Sequence, residues 1–163
     1  MHRTFKHQEK EWSLVRCEHG QLLQSNLLKK FGFKHGFFTR EWGKRGPMDL
    51  VKELNPHLSV HTPKQVHSNK ILKASDAIHG SFPEADGLVS DQNNQSLWIY
   101  SADCIPILFA DKERGNVAAC HAGWKGLVNR IIEATIRELA ISGSRKESLL
   151  IALGPAISLE HYE

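Results

Sequence analysis

The sequence has few of the cysteines on which a disulfide framework or a zinc ribbon depends. Its 163 residues include three cysteines, Cys17, Cys104 and Cys120, and no two of them have CxxC spacing. Such an odd, sparse set does not form a disulfide framework, and the missing CxxC pair excludes a zinc ribbon and a thioredoxin-type redox motif. We therefore expect a protein of a reducing compartment, the cytoplasm.

Long apolar segments and clustered positive charge are also missing. The initial segment MHRTFKHQEKEWSLVR has no apolar stretch of the kind that a secretory signal requires, and no run approaches the ~18 apolar residues of a membrane span. The net charge is +3, with Lys and Arg interleaved with Asp and Glu. Because nucleic-acid-binding proteins concentrate basic residues on one face, we expect neither nucleic acid nor membrane as a partner. The oligomeric state is left open.

The composition and the hydrophobic pattern indicate a globular α/β protein. Hydrophobic residues make up 40% of the chain and charged residues 24%, which is typical of a soluble domain. The spacing of Leu22, Leu23, Leu27 and Leu28 predicts a short helix, and a second is expected over residues 48–58.

Strand-like segments dominate the second half of the sequence. We predict extended segments at residues 64–75 (joined at Ser68 and Asn69), 97–111 (interrupted near Cys104), 116–124 and 148–157. Between the last two, residues 126–140 have apolar side chains at helical spacing and predict one long helix. The order strand, helix, strand predicts a βαβ crossover in a mixed α/β domain.

Three side chains that can bind a metal lie where predicted strands break or end. They are His67, Cys104 and His121. Each alone is also typical of core packing, and spacing alone leaves the two interpretations open. Functional residues of α/β folds gather at strand ends, however. One thiolate with two imidazoles suits zinc, with copper as a competitor, and three protein ligands leave the fourth position that catalytic zinc sites keep open. Cys120 should point to the opposite face of its strand.

Five motifs, in this order, resemble those of the YfiH-like laccase-domain family. They are QVH, ADGLVSD, ADCIPILFAD, HAGWKG and LGPAI, and HGFFTR at residues 35–40 is similar to the amino-terminal motif of that family. The resemblance covers the chain from about His35 onward. It departs from the family pattern at Lys125, where Arg is usual, and the family domain continues beyond the segment that follows LGPAI.

The resemblance implies a four-layer α/β/β/α sandwich with mixed sheets and a metal held by His67, Cys104 and His121. It implies a single YfiH-like domain over residues 1–163 that lacks the carboxy-terminal part of the family domain. It further implies a zinc-dependent purine nucleoside phosphorylase that acts on adenosine, inosine and methylthioadenosine with phosphate, and that also deaminates adenosine.

Further residues are candidates for this chemistry. Asp103, beside Cys104, is a candidate general acid, and Arg40 and Lys125 are candidates for binding phosphate. Trp124 has the ring to stack on a base, but we expect it to pack in the core.

Two other functions are compatible with the sequence. The first is copper-dependent oxidation of polyphenols, the laccase activity, although neither methionine, Met1 nor Met48, lies in the three metal-binding motifs. The second is a metal-stabilised module without catalytic activity, linked by the family resemblance to the editing of cell-wall precursors.

Overall fold

The computed structural model describes residues 11–162, which fall into two compact units with the boundary between Pro56 and His57. Met1 and most of the initial segment used to exclude a signal peptide lie outside the described residues. The assignment of residues 1–163 to a single domain stays a prediction. Among residues 11–162, no helix has both the length and the apolar character that a membrane crossing requires.

The first unit is built on a three-stranded antiparallel sheet. Its elements are β1 (Trp12–Cys17), β2 (Gly20–Ser25), α1 (Asn26–Lys30), β3 (Phe37–Phe38) and α2 (Pro47–Leu54). The helix predicted from the four leucines is partly wrong, because Leu22 and Leu23 lie in β2 and pair with β3. The helix begins only after Ser25, whose hydroxyl accepts a hydrogen bond from the backbone N–H of Leu28 at 3.5 Å. A helix is confirmed in the second predicted range, but α2 ends at Leu54, so residues 55–58 are not helical as predicted.

The second unit contains a five-stranded mixed sheet and a two-stranded parallel sheet. The five-stranded sheet has the order β10–β8–β9–β6–β5, and β4 pairs with β7. The strands are β4 (Ser59–His61), β5 (Ile71–Lys73), β6 (Gly87–Val89), β7 (Gln95–Leu97), β8 (Ile105–Asp111), β9 (Val117–Ala122) and β10 (Leu149–Leu153). Residues 65–70 are not a strand as predicted; they form a loop before β5.

The predicted crossover is confirmed, but its helix is broken. Both β9 and β10 are antiparallel to β8, so they run parallel to each other with β8 between them. The connection consists of α3 (Trp124–Val128) and α4 (Ile131–Ile141) instead of one helix. The break falls at Arg130, whose backbone φ of 62° is left-handed and therefore incompatible with a continuous right-handed helix.

The helix α4 covers one face of the five-stranded sheet and forms the core. Ile131, Thr135 and Leu139 are fully buried on α4, and they face Ile107 and Cys120 from β8 and β9. Burial of each large aliphatic side chain contributes about 2 kcal/mol. The mixed α/β class is confirmed, and the four-layer arrangement stays a prediction.

Candidate metal centre

Three segments far apart in the sequence bring His67, Cys104 and His121 together. His67 lies in the loop before β5, Cys104 directly precedes β8, and His121 is in β9. One ligand atom of each, a ring nitrogen or the Cys104 Sγ, lies within 4.8 Å of the other two. The two imidazole rings meet edge to face with their centroids 4.8 Å apart.

The cluster fits a metal ion of the size and preference of zinc. Around a tetrahedral Zn²⁺, nitrogen and sulfur ligands are separated by roughly 3.3–3.6 Å, so side-chain rotations would have to bring these atoms closer together to share an ion. His121 is buried, Cys104 is half-buried and His67 is exposed. The exposed His67 places one side of the cluster at the surface of the second unit.

Gly123 provides the space that the three ligands occupy. A Cβ atom added at Gly123 would lie 3.0 Å from His67 Cδ2, 3.1 Å from Cys104 Sγ and 3.5 Å from His121 Cε1. The backbone of Gly123 has φ −73° and ψ 164°, which any residue adopts. The glycine is therefore needed for close approach to the ligands and not for its conformational freedom.

Asp86 connects the two histidine ligands. Its carboxylate is fully buried and accepts hydrogen bonds from the backbone N–H groups of Val66 at 3.2 Å, His67 at 3.0 Å and Ser68 at 2.6 Å. His121 Nδ1 lies 3.0 Å from Asp86 Oδ1. Three successive N–H groups turned toward one anion form a nest, which accounts for the left-handed φ of 59° at His67.

The hydrogen bonds of Asp86 also decide which nitrogen of His121 is free. Burial raises the pKa of Asp86, but hydrogen bonds from His121, Ser68 and Val66 outweigh it and lower the pKa below its usual value. An ionised carboxylate only accepts hydrogen bonds, so His121 Nδ1 must donate. In a neutral imidazole, the form that binds a metal, Nε2 is then the ligand atom, in the carboxylate–histidine–metal arrangement of known zinc sites.

Asp86 was not among the functional residues predicted from the sequence. The only available signal was its place in the ADGLVSD motif, because its partners lie in two other segments.

Cys120 points away from the cluster, as predicted. It is fully buried in the core against α4, and burial raises the pKa of its thiol to about 11. The predicted packing of Trp124 is wrong: its side chain is 59% exposed, because it opens α3 directly after the glycine. The Nζ atom of Lys125 lies 5.6 Å from the centre of the Trp124 ring.

The remaining predicted residues do not join the cluster of metal-binding atoms. Asp103 is exposed, and within residues 11–162 its carboxylate has no hydrogen bond or ion pair. Lys125 is exposed on α3. Arg40 is exposed in the first unit, in the 3₁₀ turn Arg40–Trp42. The roles assigned to these three residues stay predictions.

Comparison with known families agrees with the motifs. The family model described as multi-copper polyphenol oxidoreductase laccase matches residues 47–163, the greater part of the chain. The chain belongs to this laccase family. Solved structures have a similar fold: YlmD from Geobacillus stearothermophilus superposes with a TM-score of 0.75 at 24% identity, over 91% of this chain and 67% of that one. The Neisseria meningitidis protein NMB0706 gives a TM-score of 0.65 at 26% identity, over 93% of this chain and 65% of that one.

Curated relatives carry enzyme names. A purine nucleoside phosphorylase of Synechocystis sp. is 40% identical over 135 residues, which cover 79% of this chain and 51% of that protein. Adenosine deaminase RL5, from an unknown prokaryotic organism, is 30% identical over 109 residues, which cover 62% of this chain and 42% of that protein. The chain thus spans about half the length of the curated relatives that it matches.

Proposed function

We propose that this protein binds one zinc ion through His67, Cys104 and His121 and catalyses phosphorolysis of purine nucleosides. The observation that carries the proposal is the convergence of the three ligand atoms within 4.8 Å. The enzyme names of the relatives support purine nucleosides as the substrate class. Adenosine, inosine and methylthioadenosine are the members that we propose. Deamination of adenosine is a second activity of the same site, supported by the deaminase among the relatives.

The reaction transfers the ribosyl group from the purine to phosphate. A phosphate oxygen forms a bond to C1′ of the ribose, the bond from C1′ to the purine nitrogen breaks, and that nitrogen takes up a proton. Adenosine and phosphate give adenine and ribose 1-phosphate. A zinc ion would supply Lewis-acid stabilisation of developing negative charge.

The residues of the chain have distinct parts in this proposal. Asp86 accepts a hydrogen bond from Nδ1 of His121, which leaves Nε2 free. Its hydrogen bonds to the backbone of residues 66–68 position His67. The exposed ring of Trp124 beside Gly123 offers a surface for stacking on the base. Lys125 is proposed to attract phosphate, although a lysine provides a point charge where the usual arginine forms a bidentate pair. Arg40 is a separate candidate for binding phosphate. Asp103 is the proposed proton donor to the leaving purine.

The decisive experiment compares Cys104→Ser with Cys120→Ser. Cys104→Ser should lose stoichiometric zinc by elemental analysis and also lose turnover of adenosine with phosphate, because sulfur is the strongest ligand of the set. Cys120→Ser, which changes the residue next to the ligand His121, should keep both the bound zinc and the turnover. Zinc content unchanged in Cys104→Ser would show the ligand assignment to be wrong.

The products discriminate between the functions. Adenine with ribose 1-phosphate supports phosphorolysis, whereas inosine alone restricts the protein to deamination. The family description favours copper oxidation as the second candidate; an intense thiolate-to-copper absorption with oxidation of a polyphenol would establish it. Bound zinc without turnover of any nucleoside would instead support the metal-stabilised module that is linked to cell-wall precursor editing.

A further inference from the structure

The loop that carries His67 is joined to the segment that carries Cys104 by one side chain. Gln65 Nε2 donates a hydrogen bond to the backbone carbonyl of Tyr100 at 2.8 Å, and the backbone N–H of Tyr100 donates to Gln65 Oε1 at 2.8 Å. Gln65 is two residues before His67, and Tyr100 is four residues before Cys104.

The pairing is specific for a primary amide. A peptide unit presents one donor and one acceptor, and the glutamine amide presents the complementary pair, so both bonds form together in one orientation. An exposed hydrogen bond alone competes with water and orders little. Two bonds to one residue also fix the direction of the backbone, much as a pair of strands does.

The segment before Cys104 also has contacts to other parts of the second unit: the Trp98 N–H donates to the carbonyl of His61 at 3.0 Å, and the carbonyl of Asp103 accepts from the Ile157 N–H at 3.0 Å. Asp86 holds the His67 loop and His121 to each other, but it has no hydrogen bond to residues 98–104. The carbonyl of Cys104 accepts a hydrogen bond from the Ser101 hydroxyl, which orders the turn only within its own segment. Cys104 is attached to the sheet through β8, whereas the preceding residues reach the His67 loop through Gln65.

We propose that Gln65 is a positioning residue for the metal centre: by pairing with the backbone of Tyr100, it sets the Cys104 thiol at the separation from His67 that a shared ion requires. The inference rests on the proposed zinc site. It assigns Gln65 no contact with the ion or the substrate.

The test compares Gln65→Met with Gln95→Met. Methionine keeps the length and apolar stem of glutamine but removes both hydrogen bonds. Gln95, the first residue of β7, is the control, because its amide also binds backbone: it accepts hydrogen bonds from the N–H groups of Asp91 and Gln92 at 3.0 Å, and residues 91–95 contain no ligand residue. Zn²⁺ affinity is measured by competition with a chelator, and hydrogen exchange of residues 98–104 is measured by mass spectrometry on the metal-free protein.

Gln65→Met should weaken Zn²⁺ binding by about tenfold to a hundredfold, the range for supporting residues around metal ligands. It should also speed the exchange of residues 98–104, whereas Gln95→Met should change neither. Gln65→Glu retains acceptance from the Tyr100 N–H and should give an intermediate exchange rate, which tests the bridge even if the methionine variant does not fold.

Three results would overturn the inference: unchanged affinity in Gln65→Met, unchanged exchange of residues 98–104, or an equal loss of affinity in Gln95→Met. A wild-type protein that binds no Zn²⁺ would overturn the proposed metal centre itself. Wild-type binding with full binding in Gln65→Met would reject only the role of Gln65.

Discussion

The two sides of β9 carry adjacent residues with opposite properties. Cys120 faces α4, where it is fully buried among apolar side chains and its thiol is kept protonated by a pKa raised to about 11. His121, the next residue, faces Asp86, His67 and Cys104. Because side chains alternate along a strand, the Cys120 thiol lies in the core, where it packs, and the His121 ring lies at a polar cluster, where it is oriented. Both residue types can bind a metal, so the two environments are distinguished by the side chains around each residue and not by the residue type.

The largest effect should come from Asp86→Ala, because it removes the carboxylate that accepts hydrogen bonds from the His67 loop and from His121. Three backbone N–H groups and His121 Nδ1 would be left without their acceptor. We expect the free energy of unfolding of the metal-free protein to fall by about 3–5 kcal/mol, measured by urea denaturation. Asp91→Ala is the control, since Asp91 is exposed and braces only Ser75 and Gln95; it should cost about 1 kcal/mol or less. Equal losses in the two variants would contradict this assignment.

Alanine substitutions at Gly123 and Gly87 should distinguish the metal-binding side of β9 from its core side. Gly123→Ala places a methyl group among the three ligands and should weaken zinc binding by about tenfold to a hundredfold with little change in unfolding. A Cβ at Gly87 would collide with Ile71 and lie 3.0 Å from Cys120 Cβ. Gly87→Ala should therefore cost about 1–3 kcal/mol in unfolding while zinc binding is retained. The comparison fails if both variants lose metal and stability together.

A third prediction concerns the far end of β8, where Asp111 is buried in the turn that leads to β9. Burial raises the pKa of Asp111, yet the pKa is lowered to about 2 by the hydroxyls of Ser144 and Ser148 and the backbone N–H groups of Glu113 and Arg114. Oδ1 accepts from those two N–H groups at 2.9 and 3.3 Å, whereas Oδ2 has no hydrogen bond of standard geometry. We therefore assign most of the lowering to the backbone pair.

Because the folded pKa of Asp111 lies below its usual 3.8, its contribution to stability is present above pH 3.8 and lost as the pH falls through about 2. The expected contribution is about 1–2 kcal/mol. Asp111→Asn should reduce stability at pH 7 and flatten the pH dependence of unfolding between pH 4 and pH 2. An unchanged slope in this window would show that Asp111 is not a source of the acid sensitivity.

The smallest effect is expected at the thiols. In the metal-free protein at pH 8, a thiol reagent should modify Cys104 and Cys17, both half-buried, well before Cys120. Cys120→Ala should abolish only the slow phase and cost about 1 kcal/mol. Rapid reaction of all three thiols without unfolding would mean that the core side of β9 is open.

The elements with clear periodicity were predictable, and the positions that depend on distant partners were not. The strands around Phe109, Ala119 and Ile151 follow from continuous apolar segments. Nothing in the sequence marks Arg130 as a left-handed break, because arginine forms helices well. Leu22 and Leu23 fit a helical spacing but pair in a sheet, since tertiary pairing overrides a short local pattern.

The candidate metal centre also combines residues that the sequence indicates with residues that it does not. Residue type and strand breaks made His67, Cys104 and His121 candidates, the family resemblance implied that they are the ligand set, and the structure brings them together. The roles of Asp86 and Gln65 follow from hydrogen bonds to segments far along the chain, so no local spacing indicates them. The exposure of Trp124 depends on where α3 begins, which the apolar pattern of residues 126–140 does not specify.

The convergence of ligands from three separate segments has a thermodynamic consequence. No short stretch of the unfolded chain contains more than one of the three, so the native state would bind the ion more tightly than the unfolded chain does. Each tenfold rise in free zinc above the dissociation constant would then add at most about 1.4 kcal/mol to the free energy of unfolding. The melting temperature would therefore depend on the supply of zinc: it would be high in a zinc-replete cell and low under chelation.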